Sequence, residues 1–283
     1  MKQNRIIFLV LFMLSTMSAW SEDRFGNWAE INLEKDLGAA KKWTLGVGTE
    51  MRAQEKDRWS IGASLGYKPI KYLKLEASYN FLYLYRPENR REHYKDDIEI
   101  EDNWNGYNER EDYWSPRHRV NFSATGTVKL WKWLRISVRE RYQYTHTTES
   151  TADDLKYRYN KVYNGDGEFV GYELREGYPE SEIDTLGNSD EHMLRSRLKL
   201  AVDKKGWKFS PFISVEFHNS LKSGHDLNLE SIRPSIGSSY KFNKHNEITL
   251  AYILTADIHD NEAPFKRVHD RLHAFNIAYN YKF

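Results

Sequence analysis

From Trp43 to the C-terminus, apolar residues fall on alternate positions in segments of roughly 10–13 residues. A period of two is what a strand with two unlike faces requires. One segment places Trp43, Leu45, Val47 and Met51 on one face, with Thr44, Gly46, Gly48, Glu50 and Arg52 between them. The next places Trp59, Ile61, Ala63, Leu65 and Tyr67 against Ser60, Gly62, Ser64 and Gly66. The same rule continues through Leu73 to Tyr85, Val120 to Val128, Leu134 to Tyr144, Leu194 to Val202, Phe209 to Phe217, Ile232 to Tyr240, Ile248 to Leu254 and Phe275 to Phe283. Ten strands follow, and helical periodicity is weak throughout. Strands of a soluble sandwich run nearer five or six residues. These longer ones, with aromatics gathered toward their ends, fit the tilted 9–11-residue spans and aromatic girdles of a transmembrane barrel.

The connections alternate in length. Short ones lie at Lys68 to Lys71, Leu130 to Lys132, Asp203 to Gly206 and Asn243 to Asn246, and long polar ones at Arg86 to Ser115, Thr147 to Glu191, Asn219 to Asn228 and His259 to Asp270. Short periplasmic turns opposite long extracellular loops characterise outer-membrane barrels. The expected fold is therefore all-β, a transmembrane antiparallel up-and-down β-barrel of 10–12 strands. Counting the weaker segment Asn27 to Leu37 gives eleven, whereas single-chain bacterial barrels have even numbers. Either that segment lines the lumen or mouth and ten strands remain, or there are twelve. Pro211 and Pro234 fall inside strands, where proline removes a ladder donor.

Composition narrows the class. Of 283 residues, 40% are hydrophobic and 14% aromatic, yet mean hydropathy is only -0.78. The one long apolar run, Ile6 to Met17, is too short for a membrane helix, which needs about 20 residues. Lys2 and Arg5 before that run, and Ala19-Trp20-Ser21 after it, have the layout of a secretory signal peptide. Cleavage is expected after Ser21, giving a leader over 1–21 and a single barrel domain over 22–283. The balance of 42 Lys+Arg against 41 Asp+Glu argues against nucleic acid as a partner. Absence of cysteine excludes disulfides, thiol catalysis and a lipidated N-terminal cysteine.

The chain ends Phe275-x-Ile277-x-Tyr279-x-Tyr281-x-Phe283, in phase with the apolar face. Here it resembles the outer-membrane β-barrel superfamily, whose closing strand carries a C-terminal aromatic signal for the insertion machinery. That resemblance implies Phe275, Tyr279, Tyr281 and Phe283 as the signal. It also implies the outer membrane as location, with lipid and lipopolysaccharide around the barrel. More narrowly, the chain looks like a family of small outer-membrane barrels of unknown function. Members open with Trp-x-Glu, here Trp28-Ala29-Glu30, carry Arg-His-Arg, here Arg117-His118-Arg119, and have Arg-x-Arg on the next strand.

With the apolar face outward, every other residue faces the lumen. Three consecutive strands then contribute Arg117 and Arg119; Arg135, Arg139 and Arg141; and Arg195, Arg197 and Lys199, while the inward acids are Glu50, Glu76 and Glu216. A row of guanidiniums in a narrow channel focuses positive potential and holds carboxylates bidentately, so small anionic solutes are one expected partner. The alternative is a plugged structural barrel, because about eight strands leave room only for side chains and open channels appear at 16–18. Acidic loops supply possible partners: Arg86 to Asp112 holds ten acids against five bases, and Thr147 to Glu191 twelve against four.

No enzymatic role is expected, with an outer-membrane hydrolase of the lipase, acyl hydrolase or protease type as an alternative. A hydrolase would need serine and histidine at one height on adjacent strands. His118 and Ser123 lie five apart on one strand, about 16 Å at strand rise. His218, Asp226, His259 and Asp260 at the rim offer only a loose set. A surface receptor or adhesin is a further alternative, resting on the Tyr-rich loops. His146, His192, His218, His225, His259 and His269 fall toward the extracellular side without a close His-x-His pair, so neither a metal nor a cofactor is expected. Gly165-Asp166-Gly167 reads as a hairpin turn, and Trp131 with Trp133 as interface anchors.

Overall fold

The structure is a computed structural model and describes residues 24–54, 56–95, 103–221, 228–258 and 271–283. The expected leader, His225, Asp226, His259, Asp260 and His269 lie outside the described residues. Two compact units divide the chain. The first comprises residues up to Leu82, Arg117–His146 and Asp190–Phe283; the second comprises Tyr83–Pro116 and Thr147–Ser189.

In chain order, the described strands begin with β1 (Arg24–Leu37), β2 (Trp43–Ala53), β3 (Arg58–Ile70), β4 (Leu73–Arg86), β5 (Asn89–Tyr94) and β6 (Trp104–Arg110). Then come β7 (Tyr113–Leu130), β8 (Leu134–Thr147), β9 (Ser150–Tyr163), β10 (Phe169–Leu174) and β11 (Glu180–Leu186). The chain closes with β12 (Ser189–Val202), β13 (Phe209–Ser220), β14 (Asn228–Lys241), β15 (Asn246–Asp257) and β16 (Arg271–Lys282). Eleven of them close into a barrel in the order β1, β2, β3, β4, β7, β8, β12, β13, β14, β15, β16.

The count is neither of the two even values expected. Residues 27–37 belong to β1, a full barrel strand, and not to a segment lining the mouth. An odd meander brings its first and last strands together in the same direction, so closure must be parallel. It is: Arg24 pairs with Leu272 and the register runs through to Glu34 with Lys282. Side chains reinforce this seam from inside. Asn32 Nδ2 donates to Asn280 Oδ1 at 3.1 Å, Asn276 Nδ2 to Glu30 Oε1 at 2.7 Å, and Lys282 Nζ lies 2.8 Å from Asp36. Cysteines replacing both Asn32 and Asn280 should therefore form a disulfide in a chain that has none of its own, because paired β positions meet the geometry of that bond. Oxidation should shift the folded band on a gel, and reduction should restore it; failure to crosslink would rule out the parallel closure.

The barrel is polar inside and apolar outside. On β2 and β3 the outward partners are Trp43 with Tyr67, Leu45 with Leu65, Val47 with Ala63 and Met51 with Trp59, and Leu45, Val47 and Met51 are 46%, 48% and 61% exposed. Buried residues include Asn121, Gln143, Thr145, Glu216 and His218. A water-soluble core would reverse this distribution. Between β14 and β15 the approach is close: a Cβ on Gly237 would collide with the carbonyl oxygen of Leu250, so only glycine fits there.

Aromatic side chains gather at both ends of the barrel strands. At the short-turn end, Trp43 packs on Tyr67, Trp131 stacks on Trp133, and Phe209 packs on Tyr240. Toward the other end, Trp59 meets Phe81, the Tyr79 hydroxyl lies 2.7 Å from His118 Nδ1, and that of Tyr142 lies 2.7 Å from His192 Nδ1. Pro211 and Pro234 both sit in paired positions of the β13–β14 ladder. The β14–β15 ladder skips residues 233 and 234 yet keeps its register, and Arg233 Nε donates to Thr255 Oγ1 at 2.9 Å across the gap.

The second unit is a sheet in the order β10, β9, β6, β5, with β11 also paired to β9. These strands occupy the segments expected to be long loops. Register puts Tyr107 beside Tyr157 and Tyr172 beside Lys161. One face thus carries an aromatic cluster in which Tyr107 stacks on Tyr157 at 4.6 Å and Trp104 meets Tyr172 at 4.5 Å. The other face is polar. Arg110 pairs there with Asp184, and Lys156 with Glu182, holding that carboxyl below the usual carboxylate range. Asn164 and Gly167 close the β9–β10 turn expected around Gly165, with Gly167 at φ +84°.

Candidate functional site

Alternation within each strand aims a set of polar side chains into the barrel, and the strand order decides which of them meet. Strands β7, β8 and β12 are consecutive, so the arginine-bearing strands picked out by sequence are neighbours in the barrel. Arg119, Arg139, Arg141, Arg195 and Arg197 line a cavity of about 470 Å³ together with Glu50, Glu76 and Glu216. Arg197 and Lys199 line an adjoining cavity of about 790 Å³, which reaches Asn243 to Asn246 at the β14–β15 turn. The two share Glu30, Asn32, Glu34, Arg197, Ser214, Ser235, Ile253 and Asn280. The barrel interior is therefore partly hollow.

Two expected wall residues stand outside these cavities. Arg117 is on β7, and Arg135 lies 3.8 Å from Asp203 near the short-turn end, where Lys129 is 2.7 Å from the same carboxylate. The hydrogen bond from Lys129 holds Asp203 below the usual carboxylate range.

Strands outside that wall add three further arginines. Arg52 on β2, Arg58 on β3 and Arg233 on β14 also line the first cavity, with Glu30, Glu34 and Trp28 from β1. All are in phase with their inward neighbours, so period two marks them, but β2, β3 and β14 each bring a single lumen arginine and so lack the run that distinguishes β7, β8 and β12. The lining then holds eight arginines, Arg52, Arg58, Arg119, Arg139, Arg141, Arg195, Arg197 and Arg233, against five carboxylates, Glu30, Glu34, Glu50, Glu76 and Glu216. The excess is three positive charges.

Ion pairing divides these arginines into two groups. Glu50 is held by Arg52 through Nε at 2.9 Å and Nη2 at 2.8 Å, and by Arg58. Glu216 accepts from Arg139 Nη2 at 2.6 Å and from Arg195 Nε at 2.7 Å. Bidentate and charge-assisted pairs of this kind are the strong ones. Among the described residues, Arg119, Arg141, Arg197 and Arg233 have no carboxylate at ion-pair distance. Arg119 Nε instead donates to Thr145 Oγ1 at 3.1 Å, and the guanidinium carbon of Arg233 lies 5.4 Å from the Trp28 ring centroid. Lys199 Nζ lies 3.6 Å from the Phe212 ring centroid.

Histidines take structural positions. His218 Nε2 is 3.0 Å from Glu216 Oε1, and Ser231 Oγ is 3.0 Å from His218 Nδ1. Hydroxyl, imidazole and carboxylate in line is the order a nucleophilic site uses. Glu216 is also engaged by two guanidiniums, and both His218 and Ser231 are buried, so the row adds a third partner that holds Glu216 in place. His118 faces outward beside Tyr79, as its phase indicates, and His146 Nδ1 is 2.8 Å from Asp190. No group of three or more His, Asp or Glu among the described residues is placed to hold a metal ion.

At the C-terminus, Phe275, Tyr279 and Tyr281 pair with Tyr252, Ile248 and Asn246 on β15. The Phe283 amide donates to the Glu34 carbonyl at 2.9 Å across the seam.

A family model described as "Protein of unknown function (DUF2490)" matches residues 25–262. No curated protein matches the chain. Among solved structures, the chain is similar to the translocator domain of the autotransporter NalP from Neisseria meningitidis, at 12% identity and a TM-score of 0.39, over 76% of this chain and 67% of that one.

Proposed function

We propose, from the premise that the chain belongs to the DUF2490 family, that it is an outer-membrane barrel whose lumen is a narrow, anion-preferring conduit. Membrane placement draws on three features. The closed ladder leaves no strand edge, a requirement for backbone in lipid. The outward face carries exposed apolar side chains such as Leu45, Val47, Met51, Ile61, Phe122, Ile213, Ile236 and Leu250, and aromatics gather at both ends of the strands where a bilayer's interfaces would lie. Lipid and lipopolysaccharide then surround the barrel. The closing residues Phe275, Tyr279, Tyr281 and Phe283 face the insertion machinery, after export directed by the leader.

One observation carries the functional part: eight arginines against five carboxylates around a hollow stretch of lumen. In a medium less polar than water an uncompensated positive charge raises the local concentration of anions and excludes cations. A second reading, a largely plugged structural barrel, draws on the ion pairs that consume Glu50 and Glu216. Planar-bilayer recording separates the two. Purified, refolded protein should give discrete conductance steps in potassium chloride, small ones given an interior between that of eight-stranded and porin-sized barrels. A silent bilayer from protein shown to be folded by heat-modifiable gel migration would reject the conduit.

A further inference from the structure

We propose that the first cavity is a binding site for a small multivalent oxyanion, a solute bearing two or more carboxylate or phosphate groups, and not only a wall that favours any anion. The proposal rests on the reading of the lumen as hollow and reachable by solute, but it does not require ions to cross.

The argument begins from the arginines that no lumen carboxylate neutralises. Arg119, Arg141, Arg197 and Arg233 line one cavity from strands β7, β8, β12 and β14, and none has a carboxylate at ion-pair distance among the described residues. Two of them are aimed in a particular way. Arg119 and Arg233 each spend Nε on a threonine hydroxyl, at 3.1 and 2.9 Å. A guanidinium has five donors in a rigid fork; anchoring the Nε corner fixes its plane while both terminal amino groups stay available. That is the bidentate edge a carboxylate or phosphate takes.

A second observation is independent of charge counting. The Nε of Arg141 is buried without a hydrogen-bond acceptor, so this guanidinium, which also lacks a carboxylate, has hydrogen-bonding capacity unspent at the cavity wall. The Nε atoms of Arg58 and Arg139, whose terminal nitrogens Glu50 and Glu216 already engage, and that of Arg110 in the second unit share the feature, so it is not peculiar to this cavity. The carboxylates already present do not neutralise the four. Glu50 and Glu216 are consumed by their own arginine pairs, Glu76 by Lys74 at 2.6 Å, Glu30 accepts from Asn276, and Glu34 has no cation at ion-pair distance among the described residues.

Valence and size follow from the same geometry. The unpaired arginines stand on four different strands, so a ligand with separated anionic groups offers acceptors to more than one of them, where a chloride offers a single centre. A volume of about 470 Å³ falls within the range of small-molecule sites, which sets the ligand as a compact solute and not a polymer.

Calorimetric titration of the refolded full chain in detergent, with citrate as probe in a chloride background of fixed ionic strength, tests this. Saturable one-to-one binding is expected, weakened by about tenfold or more in Arg141→Gln and in Arg233→Gln, since each removes a charge-assisted partner. Lys129→Gln, at the short-turn end outside both cavities, should bind as the parent does. If the arginine variants fail to fold, thermal unfolding of the parent decides: citrate should raise the midpoint at concentrations where sodium chloride of equal ionic strength does not. Citrate binding no stronger than an ionic-strength effect, or binding undiminished in both arginine variants, would overturn the proposal. Citrate binding by a protein that never conducts would reject the conduit and leave this site standing, and conduction without saturable citrate binding would do the reverse.

Discussion

Replacing Glu216 by glutamine is expected to lower the unfolding free energy by about 3–5 kcal/mol, the loss seen when one partner of a buried ion pair is removed and the other is left behind. The size of the effect comes from how many groups this carboxylate serves. Arg139 reaches one oxygen at 2.6 Å, Arg195 the other at 2.7 Å, and His218 Nε2 lies 3.0 Å away. Its side chain is only 7% exposed, so water cannot stand in for it. Glutamine keeps the volume and removes only the charge, leaving two guanidiniums from adjacent walls facing each other. Urea unfolding of the refolded barrel in lipid vesicles, followed by tryptophan fluorescence, measures the difference. Adding Arg139→Met to the glutamine variant should cost far less than the same change alone costs the parent, because the partner has already been lost. Stability within about 0.5 kcal/mol of the parent, the range of an ordinary surface change, would show that Glu216 does not organise the lumen.

The second large effect is on ion preference. Arg141→Gln with Arg197→Gln removes two positive charges from the cavity lining without breaking an ion pair, since neither has a carboxylate partner among the described residues. The lining falls from an excess of three charges to one. Anion preference should fall accordingly, read as a movement of the reversal potential toward zero under a potassium chloride gradient. Glu216→Gln moves the lining the other way and should strengthen the preference in whatever fraction folds. Two changes of opposite sign on one readout separate lumen electrostatics from a general disturbance of the barrel. An unchanged reversal potential in the double arginine variant would remove these residues from the ion path.

Much of the barrel was legible because its strands obey a single rule over long stretches. Trp43 to Met51, apart from Thr49, and Phe275 to Phe283 keep their apolar residues on alternate positions, and a barrel that is apolar outside and polar inside does not weaken period two. Closure was not legible in the same way. Whether β1 pairs with β16 in parallel depends on the total count of strands and on no local residue. The first strand also hid itself, since Glu34, Lys35 and Asp36 dilute its outward Ile31, Leu33 and Leu37. The sheet of the second unit was missed for another reason. β5, β6, β10 and β11 are six or seven residues long, and their dense charges read as solvated loop although Tyr107, Tyr157 and Tyr159 share a face.

The site divides along the same line. Which residues face inward could be read from phase, including Arg52, Arg58 and Arg233. Which of them are neutralised could not. Glu216 lies 21 positions from Arg195 in sequence and 77 from Arg139, and only the registers of β8, β12 and β13 bring them together. That pairing leaves Arg119, Arg141, Arg197 and Arg233 as the cations with charge to spare.

The account turns on that surplus, and the reversal potential of the unmodified protein in a planar bilayer tests it most directly. With concentrated potassium chloride on one side and dilute on the other, current through single channels should vanish at a potential of the sign set by chloride. A reversal potential at zero, or of the sign set by potassium, would contradict an arginine-governed lumen.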